Sequence, residues 1–221
     1  MAYQVKILKV FSLTYDVKRI TTEKPEGYTF NPGQATEVAI NKEGLKEEKR
    51  PFTFTSLPED DRLEFTIKTY HDHDGVTHKI DSLLEGDELI IDDAWGAIEY
   101  KGKGTFIAGG AGITPFISIL RDLQAKDELE GHRLIFSNKR GKDVIMEADF
   151  ERMLGENFIS TLTQEDIEGH QNRKIDMNFL KDHVVGYSQH FYVCGPDQMV
   201  KDISLLLEQL GAKPDAVVFE K

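Results

Sequence analysis

Thr105-Phe106-Ile107-Ala108-Gly109-Gly110-Ala111-Gly112-Ile113-Thr114-Pro115 decides how the second half of this 221-residue chain folds. Its first four residues read as a strand, Gly109 to Gly112 as a turn, and Thr114-Pro115 as the opening of a helix, with proline at a favoured first position. Nucleotide phosphates use this order of strand, glycine turn and helix, because bare backbone amides can approach an anion there. Standing alone, a glycine turn is equally compatible with no ligand. Its place on the first strand of an α/β half favours binding, since ligands sit at the carboxyl ends of such strands.

Outward from this segment, compact apolar runs alternate with helical stretches. Strands are predicted at Thr105 to Ala108, Arg133 to Ser137, Phe158 to Leu162, Phe191 to Val193 and Ala216 to Phe219. Helices are predicted at Pro115 to Ala125, Glu147 to Leu154, Met177 to Leu180 and Pro196 to Leu210. That alternation implies a five-stranded parallel sheet joined by right-handed crossovers. The first hundred residues read differently, as short strands at Val5 to Val10, Val17 to Thr21, Thr36 to Ile40, Pro51 to Thr55, Leu63 to Lys68 and Glu88 to Ile91. Turn residues separate them at Asn31-Pro32-Gly33, Asn41 to Gly44, Leu57-Pro58 and Asp74-Gly75, the pattern of a small antiparallel six-stranded barrel. The expected division is a barrel domain over 1–101 and an α/β domain over 102–221.

Composition narrows the classes of function. An apolar fraction of 39% and a charged fraction of 30% suit an ordinary globular chain. No apolar run approaches the ~20 residues of a membrane span. The N-terminus lacks the apolar stretch of a secretory signal, so a cytoplasmic location is expected. A net charge of −12 would repel a nucleic-acid backbone. Cys194 is the single cysteine, so these residues cannot supply the thiolates of an iron–sulfur cluster, and such a centre would have to be on another protein. His71-Asp72-His73-Asp74 could share a strand face and bind a metal, but Asp74-Gly75 signals a hairpin tip, where polar residues are common; no metal site is assigned.

Arg50-Pro51-Phe52-Thr53-Phe54-Thr55-Ser56 places a cation, an aromatic ring and hydroxyls on one extended segment, able to meet a phosphate and a flat heterocycle together. By itself it reads as an edge strand with a solvated arginine. Val193-Cys194-Gly195-Pro196 with Met199 precedes the last long helix. By itself, Cys194 reads as a small buried apolar residue.

In this order the three segments resemble the ferredoxin-NADP reductase superfamily over nearly the whole chain. The resemblance implies a Greek-key barrel that binds FAD, followed by an α/β domain that binds NAD(P)H. It assigns Arg50 to the flavin pyrophosphate, Phe52 to stacking on the flavin ring, and Thr53 to the reactive flavin nitrogen. Phenylalanine stands where the family usually has tyrosine, keeping the stack and losing a hydroxyl. A second flavin segment resembles Ile67-Lys68-Thr69-Tyr70, followed by Gly75-Val76-Thr77, whose amides and hydroxyl would reach the pyrophosphate. No residue clearly claims an adenine, so FMN stays open. Gly110, Gly112, Ile113, Thr114 and Pro115 are assigned to the nicotinamide nucleotide. Cys194, Gly195, Pro196 and Met199 are assigned to its pocket, with Cys194 beside the carbon that gives up hydride and, with Thr53, in a catalytic role. Phe219 would cover the flavin, although Glu220-Lys221 follow it here.

Ser137-Asn138-Lys139-Arg140 follows the second α/β strand, where a cationic pair can bind the extra phosphate of NADPH; NADH stays open, since a solvated basic turn has the same letters. The implied activity is transfer of hydride from NAD(P)H to the flavin and of electrons to a separate acceptor such as a ferredoxin or flavodoxin. A flavin or ferric-chelate reductase, a subunit feeding an oxygenase or hydrogenase, and a non-catalytic redox sensor share these residues. A plain binding barrel fused to an unrelated α/β domain would show no flavin at all.

Overall fold

The structure, a computed structural model, describes residues 1–70, 75–96, 98–213 and 217–219. The chain forms two compact units, Met1–Ala97 with Thr114–Asp122, and Ile98–Ile113 with Leu123–Lys221.

The first unit contains β1 (Tyr3–Ser12), β2 (Val17–Glu23), β3 (Gln34–Ile40), β4 (Arg50–Thr53), β5 (Arg62–Lys68), the short helix α1 (Val76–Ile80), β6 (Glu88–Ile91) and the two-residue β7 (Trp95–Gly96). Six strands run antiparallel in the order β4-β3-β6-β1-β2-β5, and β7 pairs with β3. A single bridge between Phe54 and Phe65 brings the last strand back to the first, so the sheet is a nearly closed barrel. Alternating side chains fill it: Val5, Ile7, Ile20, Val38, Ile40, Leu63, Phe65 and Ile67 all belong to one buried cluster. Phe30 stacks on Phe54 at 4.3 Å, and Phe54 meets Phe65 at 5.2 Å. Burying each ring contributes about 2–3 kcal/mol.

Two expectations change here. The strand expected at Pro51 to Thr55 ends at Thr53, because the chain then leaves β3, with Phe54 N–H making a last bond to Gln34 O at 3.1 Å while Phe54 turns into the core and bridges to Phe65. Gly75 is not a hairpin tip; it precedes α1, whose Val76 and Ile80 lie four apart and are buried together in the barrel core. β5 and β6 accordingly do not pair with each other. The His71 to Asp74 cluster lies outside the described residues.

Helix α2 (Thr114–Ala125) begins with residues that belong to the barrel unit. Gly33 N–H donates to Ser118 Oγ at 3.0 Å. Arg121 donates to Thr55 O and to Glu64 Oε1, the latter at 2.8 Å, while Thr55 Oγ donates to the same carboxylate oxygen at 2.9 Å.

The second unit contains β8 (Gly104–Gly109), β9 (Arg133–Asn138), α3 (Glu147–Leu154), β10 (Phe158–Leu162), α4 (Met177–His183), β11 (His190–Cys194), α5 (Asp197–Gln209) and β12 (Val217–Phe219). All pairs are parallel, in the order β10-β9-β8-β11-β12. α4 runs one turn further than expected, to His183, with Asp176 Oδ1 accepting the Phe179 N–H at its start. Every residue of β8 is buried, as a central parallel strand requires. The chain builds outward from β8 to β10 and then returns to lay β11 on the other side of β8. Strand order therefore reverses between β8 and β11, the place where open α/β sheets bind ligands.

Candidate functional site

On the barrel, β4 runs from solvent into the core. Arg50 is exposed, donating to Lys49 O at 2.7 Å, with Glu48 3.8 Å from its guanidinium. Pro51 is exposed, and Phe52 is partly buried against the barrel core. Thr53 is buried, and its hydroxyl shares a hydrogen bond with that of Thr114 at 2.8 Å. Among the described residues Arg50 is thus held by a carbonyl and one long, exposed ion contact, which a pyrophosphate can displace. Thr53 arrives with its hydroxyl already oriented.

The second flavin segment divides. Ile67 lies in the core, Lys68 pairs with Asp16 at 3.0 Å, and Thr69 gives its amide at 2.7 Å and its hydroxyl at 3.0 Å to Asp16 O. Of the four, only Tyr70 is exposed, at 42%. Gly75 is extended at the start of α1, Val76 is buried and Thr77 is half-buried. The side chains of Ile67, Thr69 and Val76 therefore serve the barrel itself.

In the second unit, two separated segments meet at the strand-order reversal. Gly110–Ile113 forms a 3₁₀ turn at the end of β8, so Thr114 is the first residue of α2 and Pro115 the second, a correction of one position. A Cβ on Gly112 would lie 2.4 Å from Cys194 O and 2.6 Å from Gly195 N; one on Gly109 would lie 2.3 Å from Met199 Sδ and 3.1 Å from Pro196 Cδ. Gly195, at φ +157°, lies against the Gly109 backbone in return. Gly110, at φ +53°, faces open space. Gly112 is therefore required by contact with the backbone of a second chain segment, a reason distinct from the amide exposure that its letter suggests, whereas a Cβ on Gly109 would first displace the flexible end of Met199. Cys194 is buried and Ile113 fully so. A Phe219 side chain lies outside the described residues, as do Ala216 and Glu220-Lys221; the Phe219 backbone pairs with Val193.

Ser137-Asn138-Lys139-Arg140 leaves the end of β9 beside β8, where Ser137 pairs with Gly109. Asn138 is buried with its Nδ2 unpartnered, while Lys139 and Arg140 are exposed. The sequence reading missed what holds this turn. Thr163 N–H donates to Asn138 O at 3.0 Å, Gln164 N–H to Lys139 O at 2.9 Å, and Gly141 N–H to Glu165 Oε2 at 2.8 Å. Nothing local in the sequence marks Glu165, because its partner lies 24 residues away. Among the described residues, no group of three or more His, Cys, Asp or Glu is arranged to hold a metal ion, and no helix is long and apolar enough to cross a membrane.

Residues 2–103 match the FAD-binding domain family, and residues 106–204 match the oxidoreductase NAD-binding domain family. The chain thus carries an FAD-binding domain followed by an oxidoreductase NAD-binding domain, and it shares its fold with ferredoxin-NADP reductase-like proteins. A flavohemoprotein of Bacillus thuringiensis subsp. konkukian is 27% identical over 212 residues, covering 87% of this chain and 53% of its own length. The chain therefore spans about half the length of that relative. Among solved structures, the flavohem-like FAD/NAD-binding domain of nitric oxide dioxygenase from Vibrio cholerae superposes with a TM-score of 0.88 at 16% identity, covering 98% of this chain and 97% of that one. A ferredoxin NADP+ reductase from Neisseria gonorrhoeae, with bound FAD and NADP, gives 0.84 at 23% identity over 95% of this chain and 92% of that one.

Proposed function

We propose that the protein takes hydride from NAD(P)H onto FAD and delivers electrons to a separate acceptor, a ferredoxin- or flavodoxin-like protein among them. FAD supplies the chemistry that turns a two-electron donor into single electrons. The chain's own residues bind and orient. Arg50 pairs with phosphate, Phe52 offers a ring face and Thr53 a pre-oriented hydroxyl. Gly110, Thr114 and Pro115 frame the nucleotide end of β8, and the close packing of Gly109 and Gly112 on Cys194, Gly195, Pro196 and Met199 fixes that end's shape. Lys139 and Arg140 meet the adenosine end. One buried cysteine without a disulfide fits a reducing compartment such as the cytoplasm.

The observation that carries this reading is the meeting of the Gly-x-Gly-x-Thr-Pro turn with Cys194-Gly195-Pro196 at the strand-order reversal. The test is the visible spectrum of the purified protein, followed without oxygen at the flavin band of about 450 nm after adding NADPH or NADH. Bleaching by either nucleotide is the expected result. A yellow protein that neither nucleotide bleaches indicates a sensor or another donor, and a protein that refuses FAD and FMN overturns the assignment.

A further inference from the structure

We propose that Glu165 is a specificity-determining residue that both holds the nucleotide turn and restrains its preference for NADPH. This rests on the reading of Lys139 and Arg140 as the subsite for the extra phosphate. Both cations are exposed, and neither forms an ion pair among the described residues. Their turn is tied to the segment after β10 at Asn138 O, Lys139 O and the Gly141 amide. The third tie is the one made by a charged side chain. Gly141 is close to Ile167 as well: a Cβ there would lie 2.9 Å from Ile167 Cδ1. The turn therefore lies against the Glu165 carboxylate and the tip of the Ile167 side chain.

Two effects of opposite sign follow. The acceptor role keeps the Gly141 amide satisfied and the cations displayed, which helps any adenosine phosphate. The charge role sets a half-buried carboxylate beside the place where a phosphate dianion would arrive, which opposes NADPH and is indifferent to NADH. Asp143 also accepts from this turn, at the Arg140 amide, but it belongs to the turn and moves with it. Glu165 comes from the next crossover and holds its charge in place.

The test compares kcat/KM for NADPH and NADH, with ferricyanide as acceptor, in the full FAD-loaded chain. Glu165→Gln keeps an acceptor for Gly141 and removes the charge; it should raise the NADPH value about three- to tenfold, leave NADH within about twofold, and lose its advantage in high salt. Glu165→Ala removes both and should fall below Glu165→Gln with NADPH. Asp166→Asn, an equal charge change on an exposed neighbour, should shift the ratio less. Equal changes for both nucleotides, or none, overturn the role of Glu165, provided that Lys139→Ala/Arg140→Ala lowers NADPH use selectively. If that double variant leaves nucleotide preference unchanged, the subsite reading itself fails and takes the proposal with it. Equal NADPH values for the Gln and Ala variants overturn the clamp.

Discussion

The flavin segment of the barrel and the glycine segment of the α/β unit have comparable lengths and opposite logic. In Arg50 to Thr53 the side chains carry the proposed chemistry, and the backbone is an ordinary antiparallel strand paired with β3. Arg50 contributes little to the fold, being exposed with one long ion contact. In Gly109 to Gly112 the absence of side chains matters: the backbone of Cys194 and Gly195 leaves no room for a Cβ on Gly112, and one on Gly109 would displace the Met199 side chain. Damage to the first region should therefore remove the ligand and spare the fold, whereas damage to the second should remove both.

Gly112→Ala is expected to have the largest effect. Its methyl group would sit 2.4 to 2.6 Å from backbone atoms of Cys194 and Gly195, which cannot rotate away as a side-chain tip could. Overpacking of this kind costs about 1–3 kcal/mol and sometimes more, so thermal unfolding should come several degrees lower even without ligand. Gly110→Ala is the matched control. It meets nothing within 4 Å and bears only the left-handed strain of φ +53°, about 1–2 kcal/mol. If Gly110→Ala is the more damaging of the two in the ligand-free protein, the packing account is wrong.

Arg50→Ala should do the reverse. Removing the partner of a bound phosphate costs about 2–5 kcal/mol of affinity, so the protein should purify largely colourless, yet melt as the flavin-free parent does. A full complement of flavin in the variant would refute the assigned pairing. Thr53→Val lies between the two regimes. It breaks the hydroxyl pair with Thr114, worth about 1 kcal/mol, and leaves that hydroxyl without its partner. Flavin should be retained while reduction by nucleotide slows; unchanged reduction would leave Thr53 a purely structural role.

The same contrast explains what was legible in the sequence. Strand periods and the change of pattern near Lys101 fixed most elements to within two residues, because burial on one face or two leaves a direct trace in the letters. Arg50, Phe52 and Thr53 could be proposed for the same reason, since the chemistry proposed for them is that of their side chains. The short helix α1 was hidden by Asp74-Gly75, whose turn chemistry suits a helix start as well as a hairpin. Packing of Gly112 on Cys194, the Thr53–Thr114 pair and the hold of Glu165 on Gly141 were not legible. Each joins residues tens of positions apart, and no local pattern encodes which distant segment will arrive.

Acid should separate the two units by a smaller margin, through His132. The side chain is buried in the α/β unit, with Nε2 2.8 Å from Tyr100 Oη and Nδ1 3.2 Å from Leu129 O. That geometry suits a neutral ring that donates from Nδ1 and accepts at Nε2, and burial, ahead of every other influence, holds its pKa below the ordinary histidine value. A base with a depressed folded-state pKa is stabilising above its unfolded value of about 6.5 and loses that contribution as pH falls through it, because the unfolded chain takes up the proton first. His183, in the same unit, is lowered by burial too, whereas burial raises Glu147 and works in the opposite direction. The barrel's buried Tyr28, pushed up to about 12, stays neutral throughout. Between pH 7.5 and 5.5, on the order of the histidine range, the hydrogen-exchange protection of the β8 and β9 amides should therefore fall with pH while the melting followed by fluorescence of Trp95, which lies in the barrel, moves less. His132→Gln should flatten the first slope. If it leaves the slope as steep as in the parent, the acid sensitivity arises elsewhere and this part of the contrast between the units fails.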